Sequence, residues 1–146
     1  MELGNHEEAN EELELIDAPL RAHPDVLEVR WLIYQKIENW KICKDIGTAL
    51  VKLAPERTTG WIYRSFVLAE MKRTQEAYDA LKPALDTFKK EQLVWYNMAC
   101  YACVLGNKDE ARGLLSKAIE LGGDDVKAMA LEDPDLQDMW VSDGGE

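Results

Sequence analysis

The chain of 146 residues carries 28 acidic and 17 basic side chains, a formal net charge of −11, and 47% of its residues are hydrophobic. This length and apolar fraction suit one folded domain and exclude disorder over most of the chain. No apolar run reaches the roughly 20 residues of a membrane helix, and the first residues lack the basic and apolar regions of a signal peptide. We therefore expect a cytoplasmic protein with no membrane partner.

The charge is unevenly distributed along the chain. Residues 1–17 hold seven acids and no Lys or Arg, and residues 122–146 hold eight acids and one Lys, so the two ends sum to −14 and the centre to +3. The overall acidity argues against a nucleic-acid partner, because binding to phosphates needs a basic surface. The slightly basic centre favours an acidic or amphipathic protein ligand.

A period of 34 residues organises the sequence. One register holds the small residues Ala9, Cys43, Ala77 and Ala111. Further registers hold Leu13, Gly47, Leu81 and Leu115, then Ile16, Leu50, Ala84 and Ala118, then Leu27, Trp61, Trp95 and Met129. Within each period apolar residues recur at spacings of three and four, which is typical of an amphipathic helix. Each period is therefore predicted to hold two helices.

In chain order, we predict helices over residues 6–18, 25–38, 40–53, 58–71, 74–88, 92–105 and 108–121. Pro83 falls inside the helix predicted over 74–88 and should kink it or end its regular part near Leu81, because proline lacks a backbone N–H. After the last full period, Asp133 and Pro134 indicate an N-cap and a first-turn proline, followed by a short helix to about Trp140. No segment shows sustained β-branched alternation, so strands are not expected.

The residues that carry the period resemble the tetratricopeptide repeat family. Residues 92–123 read as a complete repeat, with Trp95, Gly106, Ala111, Leu115 and Ala118 at family positions. The resemblance implies an all-α, right-handed superhelix of antiparallel helix pairs, with about seven helices and a C-terminal capping helix. It divides residues 1–146, as one domain, into a half repeat (1–23), three full repeats (24–57, 58–91 and 92–125), a cap (126–141) and a frayed tail (142–146).

The resemblance also implies that the protein is an interaction scaffold. Family members bind peptides or partner helices on the concave wall that the first helix of each pair forms. The family's groove positions transfer to this sequence as the candidate partner-binding residues Leu32, Ile62, Tyr63, Phe66, Tyr96, Asn97 and Cys100. We expect a hydrophobic or amphipathic protein ligand there. The open alternative is that the aromatic side chains belong to the interhelical core.

Arg30 and Arg64 lie one period apart, and we add both to the candidate partner-binding residues. Two planar guanidinium groups on neighbouring helices would bind a partner's carboxylate in bidentate fashion, which suits an acidic ligand. The alternative is that each arginine pairs with a nearby glutamate such as Glu28 or Glu70.

The sequence does not favour an enzyme, a metal or a cofactor. His6 and His23 do not accompany a recognisable nucleophile. Cys100 and Cys103 form a C-x-x-C pattern inside a predicted helix, whereas redox pairs lie at a helix start, where the dipole lowers a thiol pKa. Two alternatives to the scaffold remain: a chaperone for a secreted or assembling client, and a self-associating module. In the second, the half repeat docks on another copy and gives a homodimer.

Overall fold

The structure is a computed structural model that describes residues 23–140. These residues are helical and contain no strand, as predicted. The helices are α1 (Pro24–Lys36), α2 (Trp40–Leu53), α3 (Thr58–Glu70), α4 (Thr74–Leu81), α5 (Ala84–Thr87), α6 (Gln92–Val104), α7 (Lys108–Gly122), α8 (Asp124–Glu132), a 3₁₀ turn (Pro134–Leu136) and α9 (Gln137–Trp140). The helix predicted over 6–18 and the predicted tail at 142–146 lie outside the described residues.

The chain divides into two compact units between Met71 and Lys72. In the first unit α1 packs on α2, and α2 packs on α3. The core of this unit consists of Leu27, Trp31, Cys43, Ile46, Leu50 and Val67. Cys43 has no exposed surface, which agrees with its place in the register of small residues.

Two glycines allow α2 and α3 to approach closely. A Cβ atom on Gly47 would lie 3.0 Å from the Cα of Arg64, and a Cβ on Gly60 would lie 2.8 Å from the backbone nitrogen of Val51. Real side chains rarely tolerate such distances to backbone atoms. Gly47, which departs from the large apolar residue of the other repeats, is therefore the residue that this packing requires.

The second unit is built around α6. Helices α4 and α7 and the 3₁₀ turn all pack on α6, and α8 packs on α7. Six consecutive residues of α6, from Met98 to Cys103, are buried. In the registers of the predicted second helices, Ala77, Leu81, Ala111 and Ala118 have no exposed surface and Leu115 has 3%. The sequence period therefore also describes which side chains form this core.

The same period appears in the backbone dihedral angles. Glu38, Lys72 and Gly106 have positive φ values of 57°, 63° and 90°, and successive members are 34 residues apart. Each directly precedes the N-cap residue of the following helix. Left-handed backbone is uncommon outside glycine, so three occurrences in one register show that the helix pairs share one turn geometry.

The predicted interruption at Pro83 is confirmed. Helix α4 ends at Leu81, and the short helix α5 begins at Ala84. Pro83 has no N–H to donate, so the regular helical hydrogen bonds are interrupted here. The amide of Leu85 instead donates to the carbonyl of Lys82, three residues earlier, at 3.1 Å.

The C-terminal segment also begins its last helical stretch as predicted. The side chain of Asp133 accepts a hydrogen bond from the backbone N–H of Asp135 at 3.0 Å, and Pro134 occupies the first turn. Two details were not predicted: Asp124–Glu132 forms helix α8, and the first turn after Asp133 is 3₁₀.

Candidate partner-binding site

Ring contacts hold α1 against α3. The rings of Trp31 and Tyr63 stack with centroids 3.9 Å apart and planes 10° from parallel. Phe66 meets Trp31 edge-on at 5.8 Å and Trp40 at 6.2 Å. Trp31 is buried, whereas Tyr63 and Phe66 are half-buried. Tyr63 and Phe66, both predicted groove residues, thus pack against the core of the first unit and remain partly exposed.

Polar contacts also link the N-terminal parts of α1 and α3. The Glu28 carboxylate accepts hydrogen bonds from Thr59 Oγ1 at 2.7 Å and from Arg57 Nη1 at 3.1 Å. Arg57 Nη1 also donates to Asp25 at 2.7 Å, and this bond lowers the pKa of Asp25. Glu28 is therefore already bonded within the chain, and α1 is fixed relative to the start of α3.

Apolar side chains remain at the surface of these helices. Leu32, which follows Trp31, is 48% exposed, and Val29 is exposed to the same extent. Ile62, which precedes Tyr63, is half-buried. We define the α1–α3 surface as the four predicted residues Leu32, Ile62, Tyr63 and Phe66 together with Val29. Val29 was not among the predicted residues, although its position one turn before Leu32 could have indicated it.

Arg30 lies on α1 and Arg64 on α3, and both are half-buried. The guanidinium carbon of Arg64 lies 5.3 Å from the centroid of the Trp61 ring, and burial lowers the pKa of Arg64. A guanidinium over an indole face gains a cation–π attraction. Arg64 therefore has a structural contact of its own, and joint binding of a carboxylate by the two arginines stays a prediction.

In the second unit, the predicted residues on α6 contact the chain's own C-terminal segment. Tyr96 Oη donates to Asp133 Oδ2 at 2.6 Å, and Cys100 Sγ donates to the same oxygen at 3.7 Å. Both side chains are 5% exposed, whereas Asn97 is half-buried. A partner would reach Tyr96 and Cys100 only if the segment around Asp133 moved, so their role in binding stays a prediction.

An apolar cavity of about 330 Å³ lies between α7 and the C-terminal helices of the second unit. Its lining residues are Arg112, Leu115, Ser116, Ile119, Lys127, Leu131, Met139 and Trp140. Leu131 and Trp140 are 52% and 41% exposed, and the Trp140 indole N–H donates to the carbonyl of Ala130 at 3.2 Å. We call this the α7–α8 pocket. It was not predicted, because its lining comes from three helices.

Comparison with known proteins identifies the fold. No protein-family model and no curated protein sequence matches the chain. Among solved structures, a crystal structure of the MamA protein aligns at a TM-score of 0.76 with 14% identity, over 94% of this chain and 73% of that one. The MamA RS-1 ArsTM double mutant aligns at 0.70 with 14% identity, over 90% and 71%. MamA MSR-1 C2 aligns at 0.67 with 25% identity, over 82% and 68%.

MamA is a tetratricopeptide-like protein. The chain has a tetratricopeptide-type fold. The likeness confirms the resemblance carried by the 34-residue period and the all-α helix-pair architecture. This tetratricopeptide-type fold supports the function of a protein-interaction scaffold. None of the helices within residues 23–140 combines the length and apolar character needed to cross a membrane.

In tetratricopeptide terms, α1, α3 and α6 are first helices of their pairs, and α2, α4 and α7 are second helices. All nine predicted partner-binding residues lie on the first helices. The structure brings Tyr63 and Phe66 together around Trp31, and it places Tyr96 and Cys100 at Asp133. Sequence reasoning missed Asp133 as a neighbour of α6, although its N-cap position had been recognised.

Within residues 23–140, one group of side chains has the spacing of a metal site. Cys100 Sγ and carboxylate oxygens of Asp133 and Asp135 lie within 4.8 Å of one another. However, Asp133 Oδ1 caps Asp135 and Asp133 Oδ2 accepts from Tyr96 and Cys100. Burial raises the pKa of the Cys100 thiol well above its usual range, and metals bind the thiolate. The bonding pattern is that of a helix cap.

The other two cysteines have similar surroundings. Burial raises the pKa of Cys43 to about 11 and also raises the pKa of Cys103. All three cysteines are buried free thiols. Their thiolate forms are disfavoured, so the C-x-x-C pattern in α6 lacks the low thiol pKa that redox chemistry uses.

Proposed function

We propose that the protein is a non-catalytic scaffold that binds an apolar or amphipathic segment of a protein partner at the α1–α3 surface. The stack of Trp31 on Tyr63 carries this proposal, because it joins two successive first helices and leaves apolar surface beside the joint. Leu32 is 48% exposed, and Tyr63 and Phe66 are half-buried. Covering such a surface stabilises a complex by about 25 cal/mol per Å² of apolar area.

The rigidity of this surface supports the proposal. The ring stack and the Glu28–Thr59 bond fix the two helices before a partner arrives. A binding surface that is already ordered loses less conformational entropy on association. An amphipathic helix or extended segment would lay its apolar side chains against Leu32 and Ile62, as in other groove-binding complexes.

The two arginines extend the proposal to acidic partners. Arg30 and Arg64 lie on the helices that carry the α1–α3 surface, at equivalent positions of successive repeats. A carboxylate next to the apolar residues of a bound segment would gain a charge-assisted hydrogen bond from either guanidinium. The chaperone alternative and a cytoplasmic location stay predictions.

A displayed peptide library selected against the full chain tests the proposal. We expect enriched peptides to lose binding at least tenfold to Leu32→Glu, which places a charge on the α1–α3 surface. Leu53→Glu is the matched control, because Leu53 is 53% exposed on α2 and should leave binding within twofold. Circular dichroism checks that both variants remain helical. A failure to enrich any peptide, or equal losses in both variants, would exclude this surface as the binding site.

A further inference from the structure

The α7–α8 pocket combines an apolar lining with two positive charges. Its apolar lining residues are Leu115, Ile119, Leu131, Met139 and Trp140. The charged residues are Arg112 of α7 and Lys127 of α8, and none of the eight lining residues within residues 23–140 is acidic. A concave, mostly apolar site with a small number of polar groups is the usual form of a small-molecule binding site.

The positive charge of this pocket contrasts with its surroundings in the sequence. Residues 122–146 hold eight acids and a single basic residue, which is Lys127. The ion pairs formed within residues 23–140 do not include Lys127. Arg112 Nη1 bonds to Asp109 at 2.9 Å, but this pair is exposed and such pairs are weak, so another carboxylate can replace or join Asp109. The pocket therefore favours an anionic ligand.

The pocket is already formed in the folded chain. Helix α9 packs on both α7 and α8, and the Trp140 indole N–H donates to the carbonyl of Ala130 at 3.2 Å. Leu115 and Met139 are buried, whereas Leu131 and Trp140 present exposed apolar surface. A ligand that covers this surface removes apolar area from water, and an ordered site loses little conformational entropy on binding.

The size of the pocket indicates the class of ligand. Its volume of about 330 Å³ lies near the lower end of the range for small-molecule sites. Such a volume suits one short apolar chain or one ring better than a peptide segment of several residues. A carboxylate is the anionic group that fits best, because its two oxygens match the planar guanidinium of Arg112.

We propose that the α7–α8 pocket binds a small amphiphilic carboxylate, an anion that carries one apolar chain or ring. The apolar part lies against Leu131 and Trp140, and the carboxylate bonds to Arg112 and Lys127. This ligand contacts α7, α8 and α9 together, so binding also stabilises the second unit against unfolding. The site goes beyond partner binding at the α1–α3 surface and uses none of its residues.

Isothermal titration calorimetry of the full chain tests the proposal with two probes, octanoate for a chain and 4-phenylbutyrate for a ring. We expect at least one of them to bind at a single site per chain and to raise the thermal midpoint of unfolding. For octanoate, 1-octanol lacks the charge and acetate lacks the apolar chain. Each should bind weaker by about tenfold or more, because a charge-assisted hydrogen bond or most of the apolar contact is lost.

Variants of the pocket locate the bound probe. Arg112→Gln and Lys127→Gln should each weaken binding by about tenfold, and Leu131→Glu should abolish it. Lys117→Gln is the matched control for charge: Lys117 lies on α7 outside the pocket, pairs with Glu120, and should leave binding within about twofold. Circular dichroism checks that every variant remains helical.

Several outcomes would overturn the proposal. Absence of binding by both probes at millimolar concentration would exclude the site. Equal binding of 1-octanol, or an equal loss in Lys117→Gln, would show that the two pocket cations do not select the ligand. A leucine-ended peptide that competes with the probe and binds more tightly would assign the pocket to a partner protein instead. Leu32→Glu should leave the titration unchanged, so failure here is distinct from failure of peptide binding at the α1–α3 surface.

Discussion

Trp61 and Trp95 make the same hydrogen bond one repeat apart. The indole N–H of Trp61 donates to the carbonyl of Pro55 at 3.0 Å, and that of Trp95 donates to the carbonyl of Lys89 at 2.9 Å. In both cases the acceptor lies six residues earlier, in the loop before a first helix. The tryptophan thus attaches the connection between repeats to the helix that follows it.

Replacing either tryptophan with phenylalanine should remove this bond and keep most of the apolar bulk. We expect Trp61→Phe and Trp95→Phe each to lower the free energy of unfolding by about 0.5–1.5 kcal/mol, the usual net contribution of one hydrogen bond. Urea unfolding followed by circular dichroism gives the values. Similar losses at the two sites are expected because the geometry is the same, and no loss at either would show that the loops need no such attachment.

Lys72 and Gly106 both have left-handed backbone but differ in side chain. Substitutions at the two positions should therefore change the free energy of unfolding in opposite directions. Lys72→Gly should raise the free energy of unfolding by about 0.5–1 kcal/mol, because glycine adopts positive φ without a steric penalty. Gly106→Ala should lower it by about 1 kcal/mol. A Cβ at Gly106 would meet no atom within 4 Å, so the loss reports the backbone alone. Thermal unfolding measures both, and changes of the same sign would contradict the explanation.

Alanine substitutions at Gly60 and Gly113 should also have opposite effects on stability. A Cβ at Gly60 would lie 2.8 Å from the backbone nitrogen of Val51, whereas a Cβ at Gly113 would meet nothing within 4 Å. We expect Gly60→Ala to destabilise by about 1–3 kcal/mol, because α2 and α3 must separate. Gly113→Ala should stabilise by about 0.5–1 kcal/mol, because alanine favours a helix interior. Chemical denaturation compares both with the unchanged chain, and a neutral Gly60→Ala would show that the helices can shift freely.

Tyr78 predicts a dependence of stability on alkaline pH. The hydrogen bond to Glu110 and burial raise its pKa to about 12, above the value of about 10 in an unfolded chain. The folded form therefore keeps this proton more tightly. The stabilisation is complete below about pH 10 and is lost as pH rises from about 10 to 12.

The variant Tyr78→Phe isolates this effect. Below pH 10 it should be less stable than the unchanged chain by about 1.5–3 kcal/mol, the contribution of a hydrogen bond to a charged group. The difference should shrink between about pH 10 and 12, because the unfolded form of the unchanged chain loses the Tyr78 proton in this range while the folded form still holds it. Unfolding curves of both chains along a pH series measure it, and a difference that stays constant over this range would argue against the Tyr78–Glu110 bond.

The helices were predictable because their signals are local and repeated. The spacing of apolar residues located α2 and α7 to within a residue, and Pro83 located the end of α4. Helix α8 was not predicted, because its sequence mixes Val126 and Ala130 with exposed acids and the boundary with α7 is a single residue, Gly123. A short helix with few apolar residues has little periodicity to detect.

The candidate site was less predictable, because burial depends on residues distant in sequence. The positions of Tyr63 and Tyr96 in the repeat are equally typical of a groove wall. Tyr63 is stacked on Trp31 and half-buried, while Tyr96 is buried at Asp133, 37 residues later in the chain. Nothing near Tyr96 in the sequence signals that contact. The repeat pattern therefore predicts which helices carry the candidate site, and a contact with a segment distant in sequence decides which of their side chains remain exposed.

The recurrence of left-handed turns at Glu38, Lys72 and Gly106 also makes the chain extendable. Each turn residue directly precedes an N-cap position, so a duplicated block of residues 73–106 would join Gly106 to Arg73. That junction repeats a pairing of turn and cap already present at Lys72 and Arg73. Since neighbouring repeats contact mainly each other, the protein can be lengthened by whole periods without a newly designed loop.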